Sequence, residues 1–315
     1  MQDVASNRWT HPSVILVATD LGDLDRLIPF AVGQGAQTGA RLILLHVISG
    51  PEALSADLSG MPYYNPSSVE ESAERITEFC SQAFRRRGIE CQGVVREGMP
   101  SRQVLDAANE FHADRIVLGT RSRSKLSKLL LGSVAEQVLR SAKIPVITVG
   151  PEARLPVSAN TTEQVVLHAT TLREASRPSA ALACQIAATL NARLVILHVL
   201  PPINGLQSQK LPPGLETAAV EELGMLAATT SGRCSVCVEP HLVHGNPATE
   251  ILAESEHHRA SLIVMGSSAR SGFQNVPRDR TVYKVLAHAH CPVLTLREEQ
   301  VAIKDDEASA LAVCS

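Results

Sequence analysis

Aromatic side chains are scarce in this chain. Tyr, Phe and Trp make up 3% of its 315 residues, too few to build the stacking platforms on which single-stranded nucleic acids rest. Basic charge is not in surplus either: 29 Lys and Arg face 32 Asp and Glu, a net of -3, so the phosphate-neutralising footprint of a DNA- or RNA-binding protein is missing. The apolar runs are strand-sized, well short of the about 20 residues that a membrane helix needs, and no membrane partner is expected. Residues 1–13 carry no apolar stretch behind a basic start, so no secretory signal is expected. The seven cysteines, at 80, 91, 184, 234, 237, 291 and 314, form an odd set without framework spacing, which fits a reducing compartment better than a disulfide scaffold. The expected compartment is the cytoplasm.

Several enzyme signatures are also missing. Gly93-x4-Gly98 has the spacing of a P-loop, but Met99 stands where a lysine must reach the phosphates. There is no G-x-S-x-G elbow and no H-E-x-x-H. After the first apolar run the chain reads Leu21-Gly22-Asp23-Leu24, without the glycine fingerprint of a dinucleotide fold. Cys234-Ser235-Val236-Cys237 has redox spacing but reads as part of a strand, where positions i and i+3 face opposite sides. His288-Ala289-His290-Cys291 occupies a helix-to-strand turn, where ordinary turn residues suffice, and no metal is expected there.

What is present is a duplication. Val14-Ile15-Leu16-Val17-Ala18-Thr19, Leu44-Leu45-His46-Val47 and Pro145-Val146-Ile147-Thr148-Val149 recur as Val165-Val166-Leu167-His168-Ala169-Thr170, Ile196-Leu197-His198-Val199 and Pro292-Val293-Leu294-Thr295-Leu296. The offset holds between 147 (Gly119 to Gly266) and 152 (Val47 to Val199). Two copies of this length mean two whole domains in tandem, since a solenoid needs several shorter repeats, and each half is large enough to bury its own core. The expected boundaries are 10–150 for the first domain, 151–163 for a linker, 164–297 for the second, and 298–315 for a mobile tail.

Within the first copy, short runs rich in Val, Ile and Leu alternate with amphipathic segments. Strands are expected at 14–19, 41–47, 89–96, 115–118 and 145–149, with helices near 24–39, 69–87, 100–112 and 133–142. Continuous apolar strands alternating with helices give a parallel sheet covered on both faces. In such a fold ligands bind outside the carboxyl ends of the strands, where Asp20, Val47 and Gly119 fall. Residues 119–133 then form a loop rich in Gly, Ser, Arg and Lys that opens a helix at Gly132-Ser133, where free N–H groups and the positive dipole end favour an anion. Ser133 and Glu136 also have capping-box spacing, so a loop that merely starts a capped helix has much the same sequence.

These residues carry a resemblance. The motif G-x2-G-x9-G-S/T that follows the fourth strand of nucleotide-binding universal stress proteins reads here Gly119-x2-Ser122-x9-Gly132-Ser133, with Ser122 in place of the second glycine. Together with Asp20 at the end of the first strand, this resembles the universal stress protein family, and both halves share the likeness. The resemblance implies two tandem Rossmann-like (adenine nucleotide alpha hydrolase-like) α/β domains, each a five-stranded parallel sheet. It also implies a stress-response binding and signalling module for ATP or another adenine nucleotide, with Mg²⁺ carried on the phosphates and little or no hydrolysis. Position by position, Ala18 and Asp20 flank the adenosine, Val47 offers its backbone to the adenine edge, and Leu118 and Gly119 let the chain pass close to the ligand. Arg121, Ser122 and Arg123 line the phosphates, and Gly132, Ser133 and Val134 donate to them. Pairing of the final strands, within the chain or in a homo-oligomer, is implied as well.

The second copy keeps the fold pattern and loses the ligand pattern. Thr171 replaces Asp20, Ala269 replaces Ser122, and Asp279-Arg280 replaces Gly132-Ser133. One competent site per chain is expected. The alternative is a nucleotide-free interaction scaffold in which both sites have degenerated.

Overall fold

The computed structural model describes residues 8–49, 54–56, 62–64, 66–120, 131–154, 163–173, 177–202, 214–267 and 280–297; the expected tail at 298–315 lies outside them. The chain divides into two compact units, Met1–Pro151 and Glu152–Ser315.

In unit 1 the strands β1 (Val14–Thr19), β2 (Arg41–Ile48), β5 (Cys91–Glu97), β6 (Arg115–Gly119) and β7 (Val146–Val149) form a parallel sheet in the order β7-β6-β1-β2-β5. Val14 pairs with Arg41, Ile15 with Arg115, Ile116 with Val146 and Leu42 with Cys91. A small antiparallel pair, β3 (Leu54–Ala56) with β4 (Pro62–Tyr64), lies in the β2–β5 crossover. The helices α1 (Leu24–Thr38) and α2 (Pro66–Arg87) touch each other, as do α3 (Pro100–Glu110) and α4 (Ser133–Ser141), so each pair forms a layer against the sheet. Strands covered on both sides have no polar face to present. This is why β1, β2, β6 and β7 are almost wholly buried, whereas edge strand β5 is half exposed.

Helix α1 buries Leu24, Leu27, Ala31 and Gly35, a stripe at spacings of three and four. It ends where Gly39 adopts φ 73° and returns its N–H to Gly35 O at 2.8 Å, a left-handed cap that a side chain at 39 would strain. Leu27 is wholly buried, and truncating such a leucine to alanine costs about 2–5 kcal/mol.

Unit 2 repeats the plan with β8 (Val165–Thr170), α5 (Arg177–Thr189), β9 (Arg193–Leu200), α6 (Leu215–Ser231), β10 (Val238–His244), α7 (Pro247–His257), β11 (Leu262–Ser267), α8 (Arg280–His288) and β12 (Val293–Arg297). Its parallel order is β10-β9-β8-β11-β12. The first residues of the expected linker are fastened to this unit, since the Arg154 N–H donates to His290 O at 2.7 Å. No helix among the described residues is long and apolar enough to cross a membrane.

Three local expectations are corrected. Helix α4 takes Gly132 as its N-cap, with no side chain capping it. Ser133 therefore sits one residue inside the helix, and Glu136 pairs with Arg140 instead of closing a capping box. Cys234 and Cys237 do not lie on a strand, because β10 begins only at Val238. The cysteines are also less independent than their spacing suggests. Cys184 on α5 is joined to Cys234 in a disulfide across a Cα–Cα distance of 6.4 Å, within the usual span of such a bond, and the sulfurs of Cys80 and Cys91 lie 2.8 Å apart. The two pairs join residues 50 and 11 positions apart on different elements, which spacing alone does not reveal.

Candidate functional site

The order β7-β6-β1-β2-β5 places the switch in winding direction between β1 and β6. The crossovers from β1 through β2 to β5 run outward on one side, and the next strand, β6, returns to the other side of β1. Past the carboxyl ends of these two strands the connecting segments part, leaving the crevice where open α/β sheets hold ligands.

One wall is the β1–α1 turn. Leu21 has φ 64°, a left-handed conformation that is costly for a bulky side chain. The turn is held in three ways: the Leu21 N–H donates to Thr19 Oγ1 at 2.9 Å, the Gly22 N–H donates to Asp20 Oδ1 at 2.8 Å, and Arg75 Nη2 donates to Leu21 O at 3.1 Å. The Thr19 hydroxyl in turn donates to Asp23 Oδ1 at 2.6 Å. Asp23 is nearly fully buried, and that burial, only partly opposed by the Thr19 hydrogen bond, pushes its carboxyl up to about 6. Next to it, His46 Nδ1 lies 2.9 Å from Thr19 O. Since a carbonyl only accepts, Nδ1 carries the proton.

The opposite wall is the passage from β6 to α4. Gly119 is the last residue of β6, paired with Val149, and it is not among the left-handed glycines of the described residues. A backbone without a Cβ at this strand end leaves room for close approach. The Gly132 N–H donates to Thr120 O at 2.8 Å, setting the N-terminus of α4 beside the end of β6. The first N–H groups of that helix have no intrahelical acceptor. The Thr120 hydroxyl is buried and makes no hydrogen bond, an arrangement that a ligand's polar atom would satisfy.

Between these walls lies a cavity of about 260 Å³. Ala18, Asp20, Val47, Leu118, Gly119, Gly132, Ser133 and Val134 all line it. Arg121, Ser122 and Arg123, expected at the phosphates, lie outside the described residues. The sequence reading missed Thr19, Asp23, His46 and Thr120, which line the same cavity. Of these, His46 had a visible signal, because His198 repeats it in unit 2 with the same 2.9 Å contact, Nδ1 to Thr170 O.

A model of the universal stress protein family matches residues 13–150 and again 163–297. The chain belongs to the universal stress protein family. A universal stress protein of Mycolicibacterium smegmatis is 26% identical over 297 residues, covering 90% of this chain and 96% of its own length. Universal stress protein YxiE of Bacillus subtilis corresponds to a single half, 27% identical over 143 residues that make up 43% of this chain and 97% of YxiE. The crystal structure of a universal stress protein from Archaeoglobus fulgidus superposes with a TM-score of 0.70 at 22% identity, covering 91% of this chain and 98% of that one, a likeness of fold. The chain is thus a tandem universal stress protein with a Rossmann-like α/β fold in each half.

The two universal stress protein repeats differ in their site residues. Unit 2 keeps the strained turn, with Leu172 at φ 59° and its N–H on Thr170 Oγ1 at 3.1 Å, but Thr171 stands where unit 1 has Asp20. Residues 268–279, the counterparts of 121–132, lie outside the described residues. A cavity of about 490 Å³ in unit 2 is bordered chiefly by α5 and α6, through residues such as Ala181, Gln185 and Met225, not by the ends of β9 and β11.

Proposed function

We propose that unit 1 holds one adenine nucleotide per chain, ATP or a close relative, and that the protein is a cytoplasmic stress-response module in which the nucleotide serves as a structural or signalling ligand. The observation that carries this reading is the convergence of Asp20, Gly119, Gly132 and Ser133 on one cavity at the switch point. A turn carboxylate for the ribose or base stands there with an uncapped helix N-terminus for the phosphates. Ala18 and Val47 would border the adenosine, Leu118 and Gly119 would admit its close passage, and the backbone of Gly132, Ser133 and Val134 would donate to phosphate oxygens. Arg121, Ser122 and Arg123 would complete the phosphate lining.

Slow or absent turnover belongs to the same proposal. Fast phosphoryl transfer needs charge positioned around the γ-phosphate, usually a metal held by carboxylates. The two carboxylates of the cavity, Asp20 and Asp23, belong to the β1–α1 turn and accept hydrogen bonds from within it. A Mg²⁺ ion would be held chiefly by phosphate oxygens and water. Thr171 and Asp279, in place of Asp20 and Gly132, support a second unit given to packing or partner recognition. Pairing of final strands, within the chain or between two copies, is part of the proposal, and light scattering of the full chain reads the resulting mass.

The competing reading, a nucleotide-free scaffold, draws on Ser122 at the second motif glycine. Mass spectrometry of the small molecules released on denaturing the purified chain, together with thermal shift in ATP, separates the two. An adenine nucleotide or a stabilisation that grows with ATP concentration supports binding; neither one supports the scaffold.

A further inference from the structure

The structure assigns a divalent metal site of the Zn²⁺ type to unit 2, formed by His241, Glu254 and His258 and separate from the proposed nucleotide cavity. His241 stands on edge strand β10. Glu254 lies one turn from the end of α7, and His258 is its C-cap four residues later, so the two share a helix face turned to the strand. Their ligating atoms form a nearly equilateral triangle: His241 Nδ1 to Glu254 Oε2 is 3.4 Å, His258 Nε2 to the same Oε2 is 3.4 Å, and His241 Nδ1 to His258 Nε2 is 3.3 Å.

A histidine–carboxylate ion pair closes to about 2.7–2.9 Å when its hydrogen bond forms; both histidine–carboxylate edges here are longer, and the third edge is a hydrogen-bond contact between the two imidazoles. Zn²⁺ bonded to N and O at about 2.0–2.1 Å in a tetrahedron requires edges of about 3.3 Å between ligands, which matches. Three ligands of this kind leave the fourth position of a tetrahedral ion for water or a further ligand. His241 has 38% of its side chain exposed, against 17% for Glu254 and 14% for His258, so solvent reaches the triad. Glu254 Oε2 itself is buried and accepts no hydrogen bond, a costly state that a cation relieves.

Unit 1 supplies the internal comparison. At the offset of 147 that relates β5 to β10 and α3 to α7, the three positions are Val94, Ala107 and Phe111, part of the apolar packing on that face of the sheet. The fold does not demand polar groups there, yet unit 2 has three ligating side chains, two imidazoles and a carboxylate, the donor set of many zinc sites. A bound ion would clamp the edge strand to α7 and so couple metal to the stability of unit 2.

The test uses the full chain, stripped with chelator and titrated with Zn²⁺ alone and with Co²⁺ as a spectroscopic probe. One Zn²⁺ per chain, a rise in the unfolding midpoint and the visible absorption of tetrahedral Co²⁺ are expected. Glu254→Gln should weaken binding by more than the about 10- to 100-fold that loss of an outer-shell partner costs. The triple substitution His241→Val, Glu254→Ala, His258→Phe copies the packing of unit 1; it should fold, show no cobalt spectrum and lose the zinc-dependent stabilisation. Absence of stoichiometric Zn²⁺ in the unaltered chain would overturn the assignment, and so would equal binding by the triple variant.

Discussion

The Thr19 hydroxyl donates to Asp23 Oδ1 at 2.6 Å inside the wall of the unit 1 cavity, and this one bond does not offset the burial of the carboxylate. With its carboxyl raised from 3.8 to about 6, Asp23 binds its proton more tightly in the folded than in the unfolded state. Its contribution to stability is fully present below pH 3.8 and is lost as the pH rises through about 6, a difference of about 3 kcal/mol at 1.36 kcal/mol per pKa unit. Asp23→Asn keeps the shape and the Thr19 contact, so it should stabilise unit 1 at pH 7–8 and flatten its pH dependence between pH 4 and 6. Hydrogen exchange of the β1 amides reads unit 1 on its own, and a β1 that becomes less protected at pH 7 in the variant would contradict this assignment.

Unit 2 should respond to acid in the opposite sense. His168, in the middle of β8, is wholly buried; its Nδ1–H donates to Val264 O at 3.1 Å, and its Nε2 has no partner. Burial lowers its pKa from 6.5 to about 4, so the neutral ring's contribution is present above pH 6.5 and is lost as the pH falls through about 4, again about 3 kcal/mol. Val17 occupies the equivalent position in unit 1. His168→Val should therefore hold the β8 amides protected at pH 4.5, where the unaltered chain loses protection; equal acid sensitivity in both proteins would place the titrating group elsewhere.

Much of the fold was legible because both of its signals are local. The runs at 14–19 and 115–118 read as strands buried on both faces, and their recurrence at a steady offset announced two domains. The lining of the candidate site was legible at Gly119 and Gly132 and at Asp20, which follows the first strand. Asp23 and Thr120 were not, because their importance comes from burial after the chain has folded, and the same composition in an exposed turn would mean nothing. The Ser133 capping box failed for a related reason. Its spacing was right, but the helix starts one residue early, with Gly132 at the cap. The His241, Glu254 and His258 triad was invisible because two elements must pack before its atoms meet.

The buried hydroxyl of Thr120 offers a direct probe of the site. Thr120→Val removes an unpaired polar atom at nearly constant volume, so stability should hold or rise. If that hydroxyl meets the nucleotide, affinity should fall by about tenfold, the equivalent of about 1.4 kcal/mol. Calorimetry measures both proteins, and unchanged affinity would remove Thr120 from the binding set.

Turnover should be slow. Phosphate release from saturating ATP and Mg²⁺ is expected far below the about 1–100 s⁻¹ of ordinary kinases, while ATP still raises the unfolding midpoint by mass action. Release within that range, abolished by Ser133→Ala with binding retained, would make this chain an enzyme.

The central claim is one nucleotide per chain, held by unit 1, and the stoichiometry of ATP binding tests it most directly. Isothermal calorimetry on the full-length protein should give close to one ATP per chain, and Gly119→Glu should abolish binding, because it sets a bulky, negatively charged side chain in the cavity wall beside the N-terminus of α4. Two equivalent sites per chain, or one site indifferent to Gly119→Glu, would contradict the account.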